Sequence, residues 1–401
     1  MKTAAINAQR SYSQQLTHQF YKNIIPVHAT SLFIDDIAQL YGTPAVYDYI
    51  IIHGTLHNAD IQQMLNSLHN YMHEKTRVII DWDIAFWKSN RLSFSDVKNF
   101  LILADFEYIT TRRYMLCPVY IPGLSWFFNT LCAALPIVNK LCLRQIIIAK
   151  NRQTIDQEQS VSVIIPCKNE RGNIDQAVMR IPKMGTSLEI IFVEGNSQDN
   201  TWEEIMRIIA MYPDKNITAY QQTGRGKADA MRLGFSKAQN DILMILDADL
   251  TVMPEELPHF YHALTTGKGD FVNGCRLVYP MEAGAMQFLN MLANYFFGAA
   301  FSWIVGQRMK DTLCGTKVVY AQDYQKIVES SALYGIKDPF GDFDLIFGAA
   351  RMHLKIIEVP VHYKKRLYGT TQIKRFYHGL LLLKICILGC IRFKTGLMKA
   401  R

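Results

Sequence analysis

The chain of 401 residues has few of the features that define the simplest structural classes. Its 23 glycines and 13 prolines are too few for a collagenous or proline-rich protein. Its eight cysteines form no C-x-x-C pair and most lie inside apolar runs, which argues against a disulfide framework or a zinc site and favours a reducing compartment. The sequence also lacks a block of lysine and arginine that resembles a nucleic-acid-binding arm, so we expect no nucleic-acid partner.

Apolar runs long enough to cross a membrane are scarce as well. The first residues, MKTAAINAQRSYSQQ, lack the apolar core of a signal peptide, so we expect a cytoplasmic protein. Of the three strongly apolar stretches, 118–139, 283–307 and 380–391, only the second has the length of a spanning helix. Four amide side chains interrupt it and favour an interfacial or buried helix. We expect a peripheral protein on the cytoplasmic face of a membrane.

The chain has enough apolar surface to fold into a compact core. Hydrophobic residues make up 49% of it and charged residues 19%, which excludes a disordered protein. The length predicts two or three domains. The formal net charge of +8 suits an anionic partner, such as a nucleotide diphosphate or an acidic membrane surface.

A polar segment at 150–160 divides the chain, and we predict domains at 1–155 and 156–395 followed by a basic tail at 396–401. After the polar segment, short apolar strands alternate with helical segments. This alternation predicts parallel β-α-β units and a doubly wound α/β sheet. The predicted strands are 161–166, 189–193, 217–221 and 241–246, and the predicted helices are 173–180, 202–211 and 227–236.

Acidic and polar side chains follow three of these strands at the point where each strand ends. Ligands of such sheets bind beyond the carboxyl ends of the strands. Because carboxylates held close together repel one another, we expect a hard cation, Mg²⁺ or Mn²⁺, that bridges to substrate phosphates. The side chains are Asn169 and Glu170 after the first strand, Glu194 and Asp199 after the second, and Asp247 and Asp249 after the fourth.

Four segments in this order resemble the nucleotide-sugar domain of family 2 glycosyltransferases, which has the GT-A fold: SVIIPCKNERGNI, EIIFVEGNSQDNTWEEI, GRGKADAMRLGF and DILMILDADLTVMPEEL. Four later segments resemble the branch that acts on polyprenyl phosphates, which is similar to dolichol-phosphate mannose synthase: NGCRLVYP, KDTLCGTKVVY, FGDFDLIFGAAR and EVPVHYKKRLYGTTQIK. The resemblance covers about 160–395. It implies an inverting, metal-dependent glycosyltransferase that uses a UDP- or GDP-sugar.

The resemblance also implies roles for individual residues. Asp247 and Asp249 match the family's D-x-D pair and are the expected metal ligands. Lys227, at the start of a helix after a Gly-rich turn, would neutralise diphosphate, although it also suits an exposed surface position. The residues expected to bind the nucleotide sugar are Pro166, Asn169, Glu170, Glu194, Asp199, Lys227 and Asp247.

The later segments supply the expected catalytic and acceptor residues. Asp342 takes the place of the inverting base, and Asp344 is the second catalytic candidate, although an acid there also suits the start of a helix. An acceptor phosphate is already ionised and needs no base, so Asp342 would then orient a neighbouring group. The expected ligands of an acceptor phosphate are Arg276, Arg366 and Lys374.

Two positions depart from the family pattern. Gln372 stands where a lysine is usual, which favours a hydroxyl acceptor, and Thr251 stands where a glutamine is frequent. The basic cluster at 364–366 and the apolar C-terminal run favour a lipid phosphate. We also expect Leu289, Leu292, Phe296 and Ile304 to share one helical face that a lipid approaches, although a core helix fits the same pattern.

The N-terminal region is predicted to contain a smaller α/β domain, with strands at 46–53 and 77–81 and a helix at 61–72. The run YDYIIIHGTLHNADIQQMLNSLHNYMHEKTRVII resembles the second half of a class I methyltransferase. No glycine-rich loop precedes it to hold S-adenosylmethionine, which indicates a truncated, inactive remnant. A methyltransferase with an accessory sugar-binding module is the alternative of a different class.

Overall fold

The structure is a computed structural model, and it describes residues 11–34, 45–53, 61–84, 93–152, 158–280, 288–331, 338, 340–366, 368–369 and 375–395. The chain forms two compact units. The first contains the described residues up to 152 together with 390–395, and the second contains those from 158 to 389.

A five-stranded mixed sheet forms the centre of the first unit. The strand order is β1-β2-β3-β5-β4, with β1, β2 and β3 parallel and β5 antiparallel to both of its neighbours. The strands are β1 (Ser31–Ile34), β2 (Tyr47–His53), β3 (Met72–Asp83), β4 (Phe106–Tyr114) and β5 (Arg144–Asn151). The strand predicted at 77–81 is the middle of the longer β3.

Helices of the first unit pack on both faces of this sheet. Two of them begin at capping boxes, in which Ser11 and Gln14, or Ser93 and Asp96, satisfy each other's backbone N–H groups. The predicted helix 61–72 is an α-helix only to Leu68 and continues as a 3-10 turn at His69–Tyr71. The helices are α1 (Tyr12–Ile24), α2 (Ile61–Leu68), α3 (Phe94–Leu103) and α4 (Leu124–Phe127).

One buried carboxylate joins α1 to the sheet. Asp81, on β3, is fully buried and accepts hydrogen bonds from the hydroxyl groups of Tyr21 and Tyr114. Arg144 of β5 donates to its other oxygen at 3.1 Å. Burial and the negative charge of Asp81 raise the pKa of both tyrosines far above the ordinary value, so that the hydroxyl groups remain donors.

We predict that Asp81→Asn destabilises the first unit by about 3–5 kcal/mol, because Arg144 then lacks its buried partner. Asp83→Asn is the matched control, since Asp83 lies 3.5 Å from the same arginine but its side chain is 66% exposed. Native-state hydrogen exchange at β2 and β3 reports on this unit separately. Equal protection in the two variants would show that the Asp81 network contributes little.

A seven-stranded sheet forms the centre of the second unit. Its order is β12-β10-β11-β9-β6-β7-β8, and β11 alone runs antiparallel to its neighbours. The strands are β6 (Val161–Cys167), β7 (Leu188–Glu194), β8 (Asn216–Gln221), β9 (Ile242–Ile245), β10 (Phe271–Cys275), β11 (Lys317–Tyr320) and β12 (Ile356–Pro360).

Helices cover both faces of the second sheet, as the alternating pattern predicts. Helices α5 (Ile174–Arg180), α6 (Thr201–Met211) and α8 (Leu257–Thr265) share one apolar core with β6 and β7. Helix α7 (Lys227–Lys237) packs on the opposite face, where Gly234 lies directly against Ile164 and Val193. The seven elements predicted between 161 and 246 are confirmed, with bounds within one residue.

The remaining helices of this unit are α9 (Phe288–Val305), α10 (Ala321–Ser331), α11 (Asp342–Arg351) and α12 (Arg375–Cys390). On α9, Leu292 and Phe296 are exposed as predicted, but Ile304 is buried, so the expectation that it shares their face is wrong. The side chain of Leu289 lies outside the described residues. Among the described residues, no helix combines the length and the apolar character needed to cross a membrane.

Candidate functional site

The candidate site lies at the carboxyl ends of β6, β7 and β9. The backbone there repeatedly enters the left-handed region, at Asn169 (φ 57°), Asn196 (φ 56°), Asn200 (φ 59°) and Leu250 (φ 50°). Asparagine tolerates this conformation better than other residues that carry a side chain, whereas leucine adopts it at a cost. Such a concentration of strained positions is typical of a functional site, where the backbone is bent to aim side chains.

The first carboxylate of the site, Asp247, forms an ion pair with Lys227, the first residue of α7, at 2.6 Å. Burial opposes ionisation of Asp247, but Lys227 and the more distant Lys317 and Arg276 outweigh it and lower the pKa. A Cβ atom on Gly315 would lie 1.8 Å from an Asp247 oxygen and 2.5 Å from the Lys227 nitrogen. Glycine is therefore required at position 315 for this pair to form.

The second carboxylate, Asp249, is held on both oxygens. Its Oδ1 accepts from the backbone N–H of Thr251 at 3.1 Å and from the Thr251 hydroxyl at 2.8 Å. Its Oδ2 accepts from Arg366 at 2.6 Å, and the other end of the same guanidinium donates to Glu170 at 2.7 Å. Arg366 thus bridges two carboxylates from different strand ends.

The segment that carries Arg366 lies over the loop after β6. Lys364 donates its N–H to the carbonyl of Thr251 at 2.9 Å, which fixes the approach of this segment. Tyr368 donates to Asp199 at 3.2 Å, and its ring lies so close to Gly172 that a Cβ atom there would be 2.5 Å away. This contact joins the predicted acceptor residues to the predicted nucleotide-binding residues.

Burial has shifted the pKa of Glu170. Desolvation raises the pKa of Glu170 to about 7. The charge of Asp249 also raises this pKa, whereas the charge of Arg366 lowers it. Asn173 donates to the second oxygen of Glu170 at 2.6 Å. The side chain therefore gains or loses its charge near neutral pH, in contact with the cationic group that also holds Asp249.

The predicted nucleotide-binding residues after β6 and β7 are linked to one another. Asn169 accepts the N–H of Gln198 at 2.8 Å and donates its own N–H to Ser197 at 2.9 Å. Glu194 accepts the N–H of Ser197, while Pro166 lies within β6 opposite Val193 of β7. Hydrogen bonds from the loop backbone thus fix the polar side chains of both strand ends.

A cavity of about 380 Å³ opens beside these loops, at the ends of β6, β7 and β8. Gln222 is buried, and its Oε1 makes no hydrogen bond with any described residue. An unpaired buried acceptor at the wall of a polar cavity suits a ligand that donates an N–H. The lining residues are Lys168, Gly195, Asn196, Gln222 and Arg225.

Asp342, the predicted base, is the first residue of α11 and is buried. Its Oδ1 lies 2.9 Å from the ammonium nitrogen of Lys317, which is itself buried and donates to the carbonyl of Cys314. A buried ammonium group thus holds Asp342 in place at the start of α11.

Arg276, a predicted phosphate ligand, pairs with a buried carboxylate. It donates to Asp311 through Nε at 2.7 Å and through Nη2 at 2.8 Å, and Asp311 is fully buried. Glu358 accepts the backbone N–H groups of Lys310 and Asp311 at 2.8 Å. These bonds fix the loop that brings Gly315 against Asp247, so the structure gives Arg276 a positioning role. A phosphate would have to displace Asp311 from the same fork.

Asp344 lies apart from the strand-end carboxylates. It lines a small cavity of about 60 Å³ together with Arg232 and Tyr324. Burial and the charge of Asp338 raise its pKa to about 7, and Asp338 accepts the N–H groups of the first turn of α11. Lys374 and Gln372 lie outside the described residues, and the roles predicted for them stay predictions.

Sequence reasoning missed several residues that shape the site. The segment KDTLCGTKVVY carries part of the family resemblance, yet the contacts of Gly315, Lys317 and Asp311 emerge only from the fold. A signal for Gly315 was present, because a glycine just before an apolar strand frequently marks a close backbone approach. Gln222 and Arg225 follow β8 as Asp199 follows β7, so the rule that ligands bind beyond strand ends would have found them.

The strand-end carboxylates fit a divalent cation. Asp247 and Asp249 each hold a cationic group at 2.6 Å, so this edge of the sheet attracts positive charge. Magnesium and manganese are typically held by one or two carboxylates, with substrate phosphates completing the coordination. Within the part of the chain that the structure describes, no group of three or more histidine, cysteine, aspartate or glutamate side chains is placed to hold a metal ion.

The fold and the site together define an α/β domain that places paired acidic side chains at the carboxyl ends of its strands. Residues 162–333 match the family model described as Glycosyl transferase family 2. This segment is therefore similar to glycosyltransferase family 2, and the α/β fold of the GT-A type predicted for it is confirmed. The model covers less than half of the chain.

Curated relatives match shorter parts of the chain. A dolichol-phosphate mannosyltransferase of Pyrococcus furiosus is 37% identical over 120 residues, which are 29% of this chain and 33% of that protein. An undecaprenyl-phosphate 4-deoxy-4-formamido-L-arabinose transferase of Edwardsiella ictaluri is 33% identical over 27% of this chain and 35% of its own. The chain thus spans about a third of the length of these relatives.

Solved structures with similar folds are more distant. A glucosyl-3-phosphoglycerate synthase from Mycobacterium tuberculosis, solved with Mn²⁺, UDP and phosphoglyceric acid, has a TM-score of 0.44 and 17% identity, and the match covers 58% of this chain and 78% of that one. A mannosyltransferase from Pyrobaculum calidifontis, solved with GDP-mannose and Mn²⁺, has a TM-score of 0.38 and 19% identity, with coverage of 56% and 60%.

We predict that Asp249→Asn removes most Mn²⁺ binding, because the substitution removes a charge and leaves the volume unchanged. Asp214→Asn is the matched control, since Asp214 is exposed in the turn before β8. Isothermal titration with Mn²⁺ alone measures the effect. If both variants bind like the unmodified protein, Asp249 is not a metal ligand.

Arg366→Ala should have the opposite effect and strengthen Mn²⁺ binding by about tenfold, since the guanidinium and a cation compete for the same Asp249 oxygen. Electron paramagnetic resonance of free Mn²⁺ gives the affinity. Unchanged or weaker binding in this variant would show that Arg366 does not compete with the cation.

The raised pKa of Asp344 predicts a pH-dependent stability. The folded protein binds this proton more tightly than the unfolded chain, so the contribution is complete at low pH and is lost as pH rises from about 4 to about 7. Because the side chain is partly exposed, we expect Asp344→Asn to raise Tm at about pH 8 by only about 2–4 °C. A Tm difference that is equal at about pH 4 and pH 8 would contradict the shifted pKa.

Proposed function

We propose that the protein transfers a sugar, with inversion, from a nucleotide-diphosphate sugar to a lipid-linked phosphate. The observation that carries the proposal is the junction of Asp249, Arg366 and Glu170, in which one arginine links Asp249 of the D-x-D pair to the loop after β6. The relatives that act on dolichol phosphate and undecaprenyl phosphate support the acceptor class. A UDP- or GDP-sugar is the proposed donor.

The donor would bind along the carboxyl edge of the sheet. The cavity lined by Gln222 suits the base, because the unpaired Oε1 would accept an N–H of the nucleobase. Asp247 and Asp249 would hold Mg²⁺ or Mn²⁺, and this cation would neutralise charge on the diphosphate leaving group. Lys227, at the N-terminus of α7, would add a second positive charge on the same phosphates.

An acceptor phosphate would meet Arg366 at this edge. The side chain of Arg366 is partly exposed, and its guanidinium can form the paired hydrogen bonds that phosphate oxygens accept. The acceptor oxygen is ionised and attacks the anomeric carbon without losing a proton. The ion pair with Lys317 suits an Asp342 that positions neighbouring groups.

A hydroxyl acceptor is the alternative and rests on Gln372 in place of the family's lysine. It would require Asp342 to accept the proton of that hydroxyl. The methyltransferase-like interpretation of the first unit also stays a prediction, because the family model begins at residue 162. Calorimetry with S-adenosylmethionine tests whether the first unit is an active methyltransferase, and we expect no binding.

The two acceptor classes predict opposite mutational patterns. For a phosphate acceptor, Arg366→Ala should lower kcat/KM by about 10²-fold, and Asp342→Asn should lower it only modestly. For a hydroxyl acceptor, loss of the base should cost on the order of 10²-fold or more. Both variants are assayed with a polyprenyl phosphate and with a glycan acceptor, and product is measured by mass spectrometry.

Lys365→Ala is a useful control in this assay, because it removes a neighbouring positive charge from the same segment. A smaller effect than that of Arg366→Ala would separate a specific contact from general attraction. Collapse of activity in Asp342→Asn, with Arg366→Ala nearly unaffected, would overturn the phosphate acceptor.

A further inference from the structure

A segment of the first unit, residues 118–141, exposes an unusual amount of apolar surface. We call it the apolar segment. It carries no charged residue from 118 to 139, and Ile137 is 81% exposed and Trp126 52% exposed. Single exposed hydrophobic residues are normal, but such a concentration marks an interaction site. The exposed large hydrophobic residues are Val119, Tyr120, Ile121, Leu124, Trp126, Phe127, Leu131, Leu135, Ile137 and Leu141.

The polar side chains of the apolar segment turn inward. Ser125 is buried, accepts the N–H of Ile121 at 2.6 Å and donates to the carbonyl of Val119 at 2.7 Å. Asn129 accepts two backbone N–H groups, those of Leu116 and Cys117, at 2.8 and 2.9 Å, and donates to the carbonyl of Cys117. Backbone groups that water would otherwise satisfy are thus satisfied from within.

Asn139 closes the other end of the segment in the same way. Its amide donates to the carbonyls of Ala133, at 2.8 Å, and Arg113, at 3.1 Å. The apolar segment therefore has hydrogen-bonding side chains inside and apolar side chains outside, the reverse of an ordinary surface loop. Internal satisfaction of backbone groups is what a hydrocarbon environment demands.

Basic residues border the apolar segment. Arg112 and Arg113 precede it, Lys140 lies exposed at its end, and Arg113 donates to the carbonyl of Lys140 at 2.9 Å. The short helix Ile391–Thr395 lies against Phe128–Cys132 in the same unit, and burial there lowers the pKa of Lys394 to about 7. No acidic residue occurs in 112–141. Arg112, Arg113 and Lys140 therefore form a cationic border beside the apolar segment.

We propose that the apolar segment inserts into the interfacial layer of an anionic phospholipid bilayer. Its aromatic and aliphatic side chains enter to a depth of about 5–10 Å, and Arg112, Arg113 and Lys140 contact anionic headgroups. A second copy of this chain is a less suitable partner for the apolar segment. In a two-fold interface the same patch meets itself, and the cationic borders would face each other.

Tryptophan quenching tests the insertion directly. The full chain is mixed with vesicles of phosphatidylcholine and phosphatidylglycerol that carry bromine on the acyl chains. We expect quenching of part of the tryptophan fluorescence, and its loss in Trp126→Phe. Trp303→Phe, in α9, is the matched control and should remain quenched. Quenching that survives in Trp126→Phe, or disappears in Trp303→Phe, would overturn the proposal.

A second pair of variants measures binding without relying on tryptophan. Leu124→Ser with Ile137→Ser should weaken vesicle partitioning by about tenfold or more. The control, Ile102→Ser with Leu103→Ser, removes equally large exposed side chains from α3 of the same unit and should bind like the unmodified protein. Circular dichroism checks that both variants fold.

Two outcomes of this comparison would overturn the proposal. One is equal partitioning of both double variants. The other is a dimer in sedimentation velocity that the Leu124 and Ile137 substitutions convert to a monomer, without vesicle binding by the unmodified protein. The second result would assign the apolar segment to self-association. Neither result bears on sugar transfer, since the measurements need no donor or acceptor.

Discussion

The geometry of the second unit depends on how the negative charge of its carboxylates is balanced, because the topology gathers these carboxylates at one edge of the sheet. Parallel strands place Glu170, Asp247 and Asp249 near one another, where their repulsion would otherwise destabilise the folded state. Lys227 and Arg366 balance them through contacts of 2.6 to 2.7 Å. Each cation belongs to a different part of the chain, so the ion pairs also fix the helix α7 and the segment after β12 against the strand ends.

This compensation explains features that otherwise look unrelated. Gly315 leaves space for the pair of Asp247 and Lys227, and Asp311 and Glu358 hold the loop on which Gly315 lies. The same loop leads into β11, the antiparallel strand of the sheet, whose first residue, Lys317, reaches Asp342. A nucleotide diphosphate with a divalent cation would meet an edge whose positive and negative groups are already in place.

The helices and strands of the second sheet and the acids of the candidate site could be predicted from the sequence, because hydrophobic periodicity and position at a strand end are local signals. The sequence could not reveal which cation faces which acid, since Arg366 and Asp249 are far apart in the chain. It placed Ile304 on an exposed face because α9 is apolar on nearly every side, so periodicity does not single out its buried face. Arg276 was a candidate phosphate ligand, yet its partner Asp311 lies in a loop whose path only the fold defines.

The central proposal is that the protein transfers a sugar to a lipid phosphate at this edge of the sheet. The most direct measurement is mass spectrometry of products after the protein is incubated with Mn²⁺, a polyprenyl phosphate and each of a panel of UDP- and GDP-sugars. The account predicts a glycosyl polyprenyl phosphate with one of these donors, and no such product in Asp249→Asn. Consumption of a donor with sugar appearing only on a hydroxyl acceptor, or equal product from Asp249→Asn, would contradict it.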